Sequence, residues 1–429
     1  MLLLALLGAC AAPSARATPP LLLDHVTVID GRGGPALPDR AVLIEGERIV
    51  GILPGGTGDI PEGTRRIDLP GRFLIPGLID SHVHLKSRPR DAGFVERVLA
   101  DHFLASGVTT VRDMGGNGAE LLPLARGAEA PDADSPRILL SSLFTGSASD
   151  FWMSGPQAAY VSAGAAPGSQ PWFRRLGGGD LETAVAQARA WGASGIKLHS
   201  GFTGEEVRRL GEAARRHGLR LWGHGEAGTA RPSDLVAAGA ASISHADMVA
   251  YEGLTERPAG FERLTYRDRT LTAMRATPVE GPVLGRLFAL MREQGTCLEP
   301  TLYVMGASEP APGMGDYIAY AAAATSRAQR EGVAICAGTD AIRGSTATLI
   351  EELELLVRLS GLTPQQALTA ATHNNARALG LADRGLIAAG MTADLVILAQ
   401  DPLSSIGNLR SVEAVITRGL YRPRRPQQP

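Results

Sequence analysis

Residues 73–84 of this 429-residue chain read FLIPGLIDSHVH, an apolar run that ends in two histidines separated by one valine. Side chains alternate along a β-strand, so His82 and His84 point to the same side of the strand and can reach one metal ion. A single His-x-His pair is weak evidence for a metal site. The pair gains weight from its position, because a regular alternation of strands and helices begins at about residue 72.

Eight strand candidates follow one another, with helical stretches such as 181–191, 205–217 and 282–294 between them. The strand candidates are residues 74–85, 109–113, 137–143, 195–199, 220–224, 242–245, 296–302 and 333–340. Eight β–α alternations predict an α/β fold, a (β/α)8 TIM barrel, over residues 72–385. The last barrel helix has a capped start, in which Thr363 precedes Pro364 and Gln366 can complete a capping box.

Short strands flank the barrel at both ends of the chain. Residues 21–71 and 386–421 carry short apolar runs separated by turns, which predict a small β-sandwich domain built from both chain ends. The tail at 422–429 is rich in Arg, Pro and Gln and is predicted to be disordered.

Residues 1–20 are predicted to be an export leader and linker. The run MLLLALLGA at 1–9 is too short to span a bilayer and is typical of a signal-peptide core. Its continuation into Cys10 resembles a bacterial lipobox, in which the acylated cysteine anchors the protein to a membrane. Residues 15–17 offer a competing cleavage site after Ala17. Both alternatives predict an exported bacterial protein, either periplasmic or a membrane-anchored lipoprotein.

The composition excludes several classes of protein. A hydrophobic fraction of 44% with a net charge of −2 is that of a globular chain and not of a disordered one. The charge provides no general basic field, so we expect no nucleic acid as a partner. Two of the 42 basic residues are lysines, Lys86 and Lys197, and the rest are arginines. A lysine in this chain is therefore a candidate for a role that arginine cannot fill.

The three cysteines form neither a disulfide framework nor a clustered thiolate metal site. Cys297 and Cys336 lie in apolar, strand-like runs and are predicted to be buried structural thiols. The alternative is a disulfide between them, which requires that their strands be neighbours.

Polar side chains gather at the ends of the predicted strands, where TIM barrels carry their chemistry. These residues are His82, His84, Lys197, His199, His224, His245 and Asp340. Neutral imidazole and carboxylate are the ligands that zinc and similar divalent ions prefer. Four of these histidines, all but His199, together with the aspartate on the same barrel face therefore predict a metal site.

The stretch at 73–84 resembles the metal motif of the amidohydrolase superfamily. Further motifs agree in order with this family: 107–113 is similar to its second strand, 195–197 to the fourth, His224 to the fifth, 243–246 to the sixth and 338–341 to the eighth. The helix at 363–381 and the segment at 390–396 match as well. The imidazolonepropionase-like and prolidase-like branch is the nearest one.

The resemblance implies a site with two divalent metal ions, zinc in the first instance. His82, His84 and Asp340 would bind one ion, His224 and His245 the other, and Lys197 would bridge both after its amine has become a carbamate with CO2. A carbamate needs a neutral amine, which the guanidinium of arginine does not provide. A metal-bridging hydroxide would then attack the scissile carbonyl, with Asp340 as the catalytic proton acceptor.

The implied function is hydrolysis of C–N bonds in small amides, dipeptides or cyclic amides. Lactone, ester or phosphotriester hydrolysis is the alternative within the same fold, and a non-catalytic exported binding protein is the alternative outside enzymes. The sequence leaves the substrate and the oligomeric state open.

The loops after the strands offer candidate substrate contacts. They are His199, Tyr303, Arg343 and Lys86, the last of which has a solvated loop residue as its alternative interpretation. Arg112 and Asp113 are interpreted as a structural ion pair at the barrel mouth. Residues 151–153 are interpreted either as an apolar lid or as packing of their loop.

Overall fold

The structure is a computed structural model that describes residues 19–85, 92–146, 169–176, 180–307, 314–340 and 349–424. Several predictions lie outside these ranges, namely the leader up to residue 18 with Cys10, the substrate candidates Lys86 and Arg343, and the segment 151–153. Within the ranges, we find no helix with the length and apolar character that a membrane crossing requires.

The described strands are β1 (Leu21–Val28), β2 (Leu37–Glu45), β3 (Arg48–Pro54), β4 (Arg65–Asp68), β5 (Phe73–Pro76), β6 (Leu78–Val83), β7 (Val108–Asp113), β8 (Arg137–Gly146), β9 (Ser169–Gln170), β10 (Phe173–Leu176), β11 (Gly195–Leu198), β12 (Arg220–His224), β13 (Ser242–Ser244), β14 (Cys297–Glu299), β15 (Leu395–Leu398), β16 (Val412–Thr417) and β17 (Leu420–Pro423).

The described α-helices are α1 (Ala92–Arg97), α2 (Gly118–Gly127), α3 (Leu181–Trp191), α4 (Gly204–Arg216), α5 (Pro232–Ala237), α6 (Tyr266–Ala276), α7 (Pro282–Gln294), α8 (Leu302–Ala307), α9 (Met314–Arg330), α10 (Leu349–Ser360), α11 (Pro364–Thr369) and α12 (Asn375–Leu379). Short 3₁₀ segments, such as Ala246–Gly253, connect some of them.

Parallel strands form the barrel. Strands β6, β7, β8, β11, β12, β13 and β14 are hydrogen-bonded in that order, each parallel to the next. A large apolar core fills the space between these strands and the helices around them. This arrangement confirms the prediction of a TIM-barrel-like fold.

Helix α3 has the predicted bounds, and its sequence explains them. The Asp180 carboxylate accepts a hydrogen bond from the backbone N–H of Glu182, which satisfies one of the free donors at the helix start. Leu181, Ala184, Val185 and Ala188 are buried, the spacing of one helical face. Gly192 ends the helix at a φ of 114°, a conformation that glycine adopts without a steric penalty.

The eighth predicted strand is wrong as a regular strand, although the segment is in place. Between 333 and 340 only Ile335 forms a bridge, to Leu298 of β14. Two of the backbone N–H groups farther along bond to side chains, that of Ala337 to Asn375 Oδ1 at 3.1 Å and that of Thr339 to Asp80 Oδ1 at 3.1 Å, whereas that of Asp340 donates to His82 O at 2.8 Å. The segment nevertheless joins the two ends of the barrel.

The strands at both chain ends lie in one eight-stranded sheet. Its order is β17-β16-β15-β5-β1-β2-β3, and β4 pairs with β1. A separate apolar cluster packs on it. The prediction of a disordered tail from residue 422 is wrong at its start, because Arg422 and Pro423 pair with Val415 and Ala414 of β16.

The first predicted barrel strand is divided at Gly77. Residues before it form β5, which pairs with β1 and β15 in the terminal sheet, and residues after it form β6 in the barrel. A Cβ atom at Gly77 would lie 2.2 Å from Thr109 Oγ1 of β7. The chain therefore needs a glycine where it passes from one sheet to the other.

Cys297 and Cys336 form a disulfide bond, with their Cα atoms 5.9 Å apart. The interpretation of two buried free thiols is therefore wrong. The alternative interpretation was a disulfide between neighbouring segments. The two segments are neighbours, because Cys336 N donates to Leu298 O at 2.8 Å. The bridge joins β14 to the segment that leads to Asp340.

We expect reduction of this disulfide to destabilise the barrel. The bridge closes a sequence separation of 39 residues, and loops of this size contribute about 2–4 kcal/mol to stability. Urea unfolding of the oxidised protein and of a Cys297→Ala/Cys336→Ala variant measures the difference. Equal unfolding midpoints, or a reactive thiol at both positions in the denatured wild-type protein, would contradict the assignment.

Candidate metal centre

Six predicted ligands meet at the carboxyl ends of the barrel strands. His82 lies near the end of β6 and His84 follows that strand directly. Lys197 lies in β11, and His224 ends β12. His245 follows β13, and Asp340 ends the segment that closes the barrel. Their side chains are buried, except that His84 is half-buried. The barrel thus brings together side chains that are up to 258 residues apart in the chain.

His82, His84 and Asp340 form a set whose ligand atoms all lie within 4.8 Å of one another. Asp340 Oδ1 lies 3.1 Å from His84 Nε2 and 3.5 Å from His82 Nε2. This oxygen is buried and has no hydrogen-bond partner of acceptable geometry. A buried carboxylate oxygen without a partner, between two imidazole nitrogens, fits a divalent cation.

Lys197 reaches the same place from β11. Its Nζ atom lies 3.1 Å from His82 Nε2, and its side chain is 1% exposed. Burial lowers the pKa of the Lys197 amine to about 8. A larger fraction of the Lys197 amine is therefore neutral near pH 7 than in an exposed lysine.

His224 and His245 face each other, with their Nε2 atoms 3.1 Å apart. Burial lowers the pKa of His245 to about 4 and that of His224 well below its ordinary value. Both imidazoles are then neutral at pH 7 and can ligate a metal without first losing a proton. His245 Nδ1 lies 3.9 Å from Asp340 Oδ2, so this pair adjoins the first set.

Burial also raises the pKa of the Asp340 carboxyl, but the imidazoles of His82 and His84 outweigh burial and hold that pKa below its ordinary value. Asp340 is therefore an anion beside these two imidazole rings. An anion with neutral nitrogen donors around it is a favourable environment for a cation.

The backbone is strained where these residues lie. His245, Thr301 and Asp340 have φ values of 70°, 55° and 52°. Residues other than glycine rarely adopt this left-handed region. Such residues cluster at functional sites, where the surrounding structure compensates for their cost.

Glu299 lies beneath the centre and was missed by the sequence analysis. Its Oε1 atom lies 2.6 Å from His82 Nδ1, and its Oε2 atom accepts a hydrogen bond from Arg112 Nη2 at 2.6 Å. Both side chains of this ion pair are 0% exposed. A glutamate in an apolar strand is unusual, and this was the one signal that could have drawn attention to it.

The interpretation of Arg112 and Asp113 as an ion pair with each other is wrong. Arg112 pairs with Glu299 and lies 4.5 Å above the ring of Trp222. Asp113 points to the other side of its strand, where it accepts hydrogen bonds from the backbone N–H groups of Leu85 and Gly115 at 2.8 and 3.1 Å. Alternation along β7 separates the two neighbours.

The substrate candidates have different positions. The His199 ring lies beside that of His224 in a tilted arrangement, with ring centroids 4.1 Å apart, and its Nδ1 atom lies 3.0 Å from Ser200 Oγ. Tyr303 lies in the first turn of α8, where its backbone N–H donates to the buried Glu352 at 2.6 Å. Burial raises the pKa of Glu352 to about 8. Both candidates remain predictions as substrate contacts.

The model of the amidohydrolase family matches residues 73–420 of this chain. The chain belongs to the amidohydrolase family. Membership confirms the predicted class, a metal-dependent amidohydrolase. The family resemblance drawn from the strand-end motifs is confirmed with it.

Several known proteins are similar to this amidohydrolase. An imidazolonepropionase of Deinococcus deserti is 27% identical over 404 residues, which cover 84% of this chain and 86% of the relative. An adenine deaminase of the same organism is 30% identical over 83% of this chain. The alignment to the deaminase covers 53% of that protein. An alignment to an imidazolonepropionase of Paenarthrobacter aurescens covers 54% of that relative. The chain therefore spans about half the length of these two relatives.

Two solved structures resemble the fold. A Xaa-Pro dipeptidase with bound methionine has a TM-score of 0.73 and 23% identity, and the match covers 94% of this chain and all of the dipeptidase. The ochratoxinase of A. niger has a TM-score of 0.71 and 21% identity over 94% of this chain and 95% of its own. At these identities the likeness concerns the fold.

We expect Arg112→Met to lower stability strongly, because it leaves Glu299 buried and unpaired. Breaking a buried ion pair from one side costs about 3–5 kcal/mol. The matched control is Arg208→Met on α4, whose ion pairs with Glu205 and Glu212 are exposed and contribute little. Urea unfolding at pH 7 compares both variants with the wild type. Similar losses in the two variants would contradict the importance of the buried pair.

Proposed function

We propose that this amidohydrolase cleaves C–N bonds of small amides, dipeptides or cyclic amides at a centre for two zinc ions bridged by a carbamate on Lys197. The observation that carries the proposal is the convergence of four histidines, a buried lysine and Asp340 at one end of the barrel. His82, His84 and Asp340 would hold one ion, and His224 and His245 the other. Imidazole and carboxylate donors favour zinc among common divalent ions.

The environment of Lys197 supports the carbamate. Carbamate formation joins the neutral amine nitrogen to the carbon of CO2 and releases one proton. Since burial lowers the pKa of Lys197 to about 8, the reactive neutral fraction rises as the pH increases through that value. Arginine could not replace it, and Lys197 is one of two lysines in a chain with 42 basic residues.

Bound divalent ions would lower the pKa of a water molecule and polarise a substrate carbonyl. The chain's own residues then complete the reaction. Asp340 is an anion within reach of two imidazoles and is placed to accept a proton from the attacking water and to pass it to the leaving nitrogen. The burial of the centre limits bulk water and strengthens every electrostatic interaction there.

The organisation of the chain belongs to the proposal as well. We propose that residues 72–385 form the catalytic barrel and that residues 21–71 and 386–421 form a β-sandwich beside it. His199, Tyr303, Lys86 and Arg343 remain proposed substrate contacts. One solved structure of similar fold is a Xaa-Pro dipeptidase, which makes dipeptides a sensible first group of substrates to test.

We expect zinc-loaded protein to hydrolyse members of a panel of dipeptides, N-acyl amino acids and cyclic amides, and to bind two zinc ions per chain. Lys197→Ala should lose most of the activity and part of the zinc, because the bridge is gone. Lys86→Ala, which changes the only other lysine, should keep both zinc ions. Elemental analysis and release of the free amine measure the two properties.

At a fixed concentration of dissolved CO2, zinc loading of the metal-free wild type should be faster at pH 9 than at pH 7, since more of the Lys197 amine is neutral. One zinc ion per chain together with an active Lys197→Ala variant would refute the bridged centre. A zinc-loaded protein that cleaves lactones, esters or phosphotriesters but no amide would refute the proposed bond.

We also propose that the chain is exported to the periplasm or anchored there through a lipid on Cys10. The disulfide between Cys297 and Cys336 supports export, because such bridges persist in oxidising compartments and are rare in the cytosol. Fractionation of bacterial cells that express the full chain should find the protein outside the cytoplasm. A cytoplasmic protein with both thiols reduced would contradict this proposal.

A further inference from the structure

Glu299 contacts three other barrel strands beneath the metal centre, although it is not one of the proposed ligands. It ends β14 and is 0% exposed. On one side of its carboxylate, Oε1 lies 2.6 Å from His82 Nδ1 and 2.8 Å from Ser244 Oγ. On the other side, Oε2 lies 2.6 Å from both Arg112 Nη2 and Ser81 Oγ. One side chain thus connects β14 to β6, β7 and β13.

Arg112 fixes the hydrogen-bonding role of this carboxylate. A guanidinium only donates hydrogen bonds and stays protonated, so Oε2 acts as an acceptor. Arg112 is itself fixed, because its Nε atom donates to Ser81 O and its guanidinium lies above the Trp222 ring. An ionised carboxylate held by a fixed cation can only accept a hydrogen bond at Oε1. His82 Nδ1 must therefore carry the hydrogen.

This hydrogen bond determines which His82 nitrogen is available to a metal. With the hydrogen on Nδ1, the lone pair of the neutral ring is on Nε2. Nε2 is the atom that faces the centre, 3.1 Å from Lys197 Nζ and 3.5 Å from Asp340 Oδ1. A carboxylate partner also makes an imidazole a stronger ligand, and loss of such partners lowers metal affinity about 10–100-fold.

We propose that Glu299 is a positioning residue, which holds His82 in the Nδ1–H form and so sets the metal affinity of the centre. This inference rests on the proposed function only in that it takes His82 as a ligand. His245 has a weaker partner. Its Nδ1 atom lies 2.8 Å from the neutral hydroxyl of Thr301, which follows β14. The carboxylate partner therefore distinguishes His82 from His245.

The test compares Glu299→Gln with the wild type by zinc competition against a chromophoric chelator at pH 7. The dissociation constant for zinc should rise about 10–100-fold in the variant. The matched control is Glu352→Gln, the same substitution at a carboxylate that is also 0% exposed. Glu352 accepts hydrogen bonds from the backbone N–H groups of Leu302 and Tyr303. Within the described ranges it makes no hydrogen bond or ion pair with a proposed metal ligand, so zinc affinity should stay unchanged.

A double variant, Arg112→Met/Glu299→Gln, separates positioning from charge pairing. It removes both charges together, so the thermal midpoint should recover relative to Glu299→Gln while zinc binding stays weak. Recovery of zinc affinity in the double variant would overturn the inference, because Glu299 would then act only as the partner of Arg112. Unchanged zinc binding in Glu299→Gln would overturn it as well.

A spectroscopic measurement keeps the inference testable if these variants do not fold. In the zinc-loaded wild type with ¹⁵N-labelled histidine, the His82 ring should carry its hydrogen on Nδ1, and a hydrogen on Nε2 would overturn the inference. A wild-type protein that binds no zinc would overturn the proposed function together with this inference. Tight binding by both the wild type and Glu299→Gln would overturn the role of Glu299 alone.

Discussion

The hydrogen bond from Asp340 N to His82 O, at 2.8 Å, holds the two ends of the barrel together at the metal centre. It continues a short set of contacts in which Ser81 N donates to Ala337 O and the Thr339 side chain donates to Asp80. These contacts place the carboxylate of Asp340 beside the two histidines of the β6 region. Without this closure, the first and last parts of the proposed ligand set would lie on separate edges of an open sheet.

Buried charge is the second constraint on this architecture. Glu299, Arg112, Asp340 and Lys197 lie within a barrel whose surroundings are mostly apolar, and charged groups in such places are costly unless they are paired. The ion pair compensates for two of them. Asp340 keeps its charge through its neighbouring imidazoles, and burial shifts Lys197 toward its neutral form. The centre thus keeps an anion, neutral imidazole nitrogens and a readily deprotonated amine in one place, a combination that suits cations.

The sequence predicted the strand-end residues well because a strand has a fixed period and TIM barrels carry their chemistry at one face. The positions of His82, His224 and His245 follow from this rule. Glu299 could not be found in the same way, since its role depends on contacts with three other strands that are distant in sequence. Arg112 was assigned the wrong partner for a related reason, because its sequence neighbour Asp113 faces the opposite side of β7. The disulfide depended on whether two short segments pair, which the sequence left open.

The passage at Gly77 has a consequence for how the molecule can be divided. Strand β5 lies between β1 and β15, which come from opposite ends of the chain, and a single residue separates it from the strand that leads to His82. Trimming either chain end would expose a backbone edge directly attached to the metal centre. The barrel is therefore a poor candidate for transplantation as an isolated module, and any fusion or circular permutation should preserve both partners of β5.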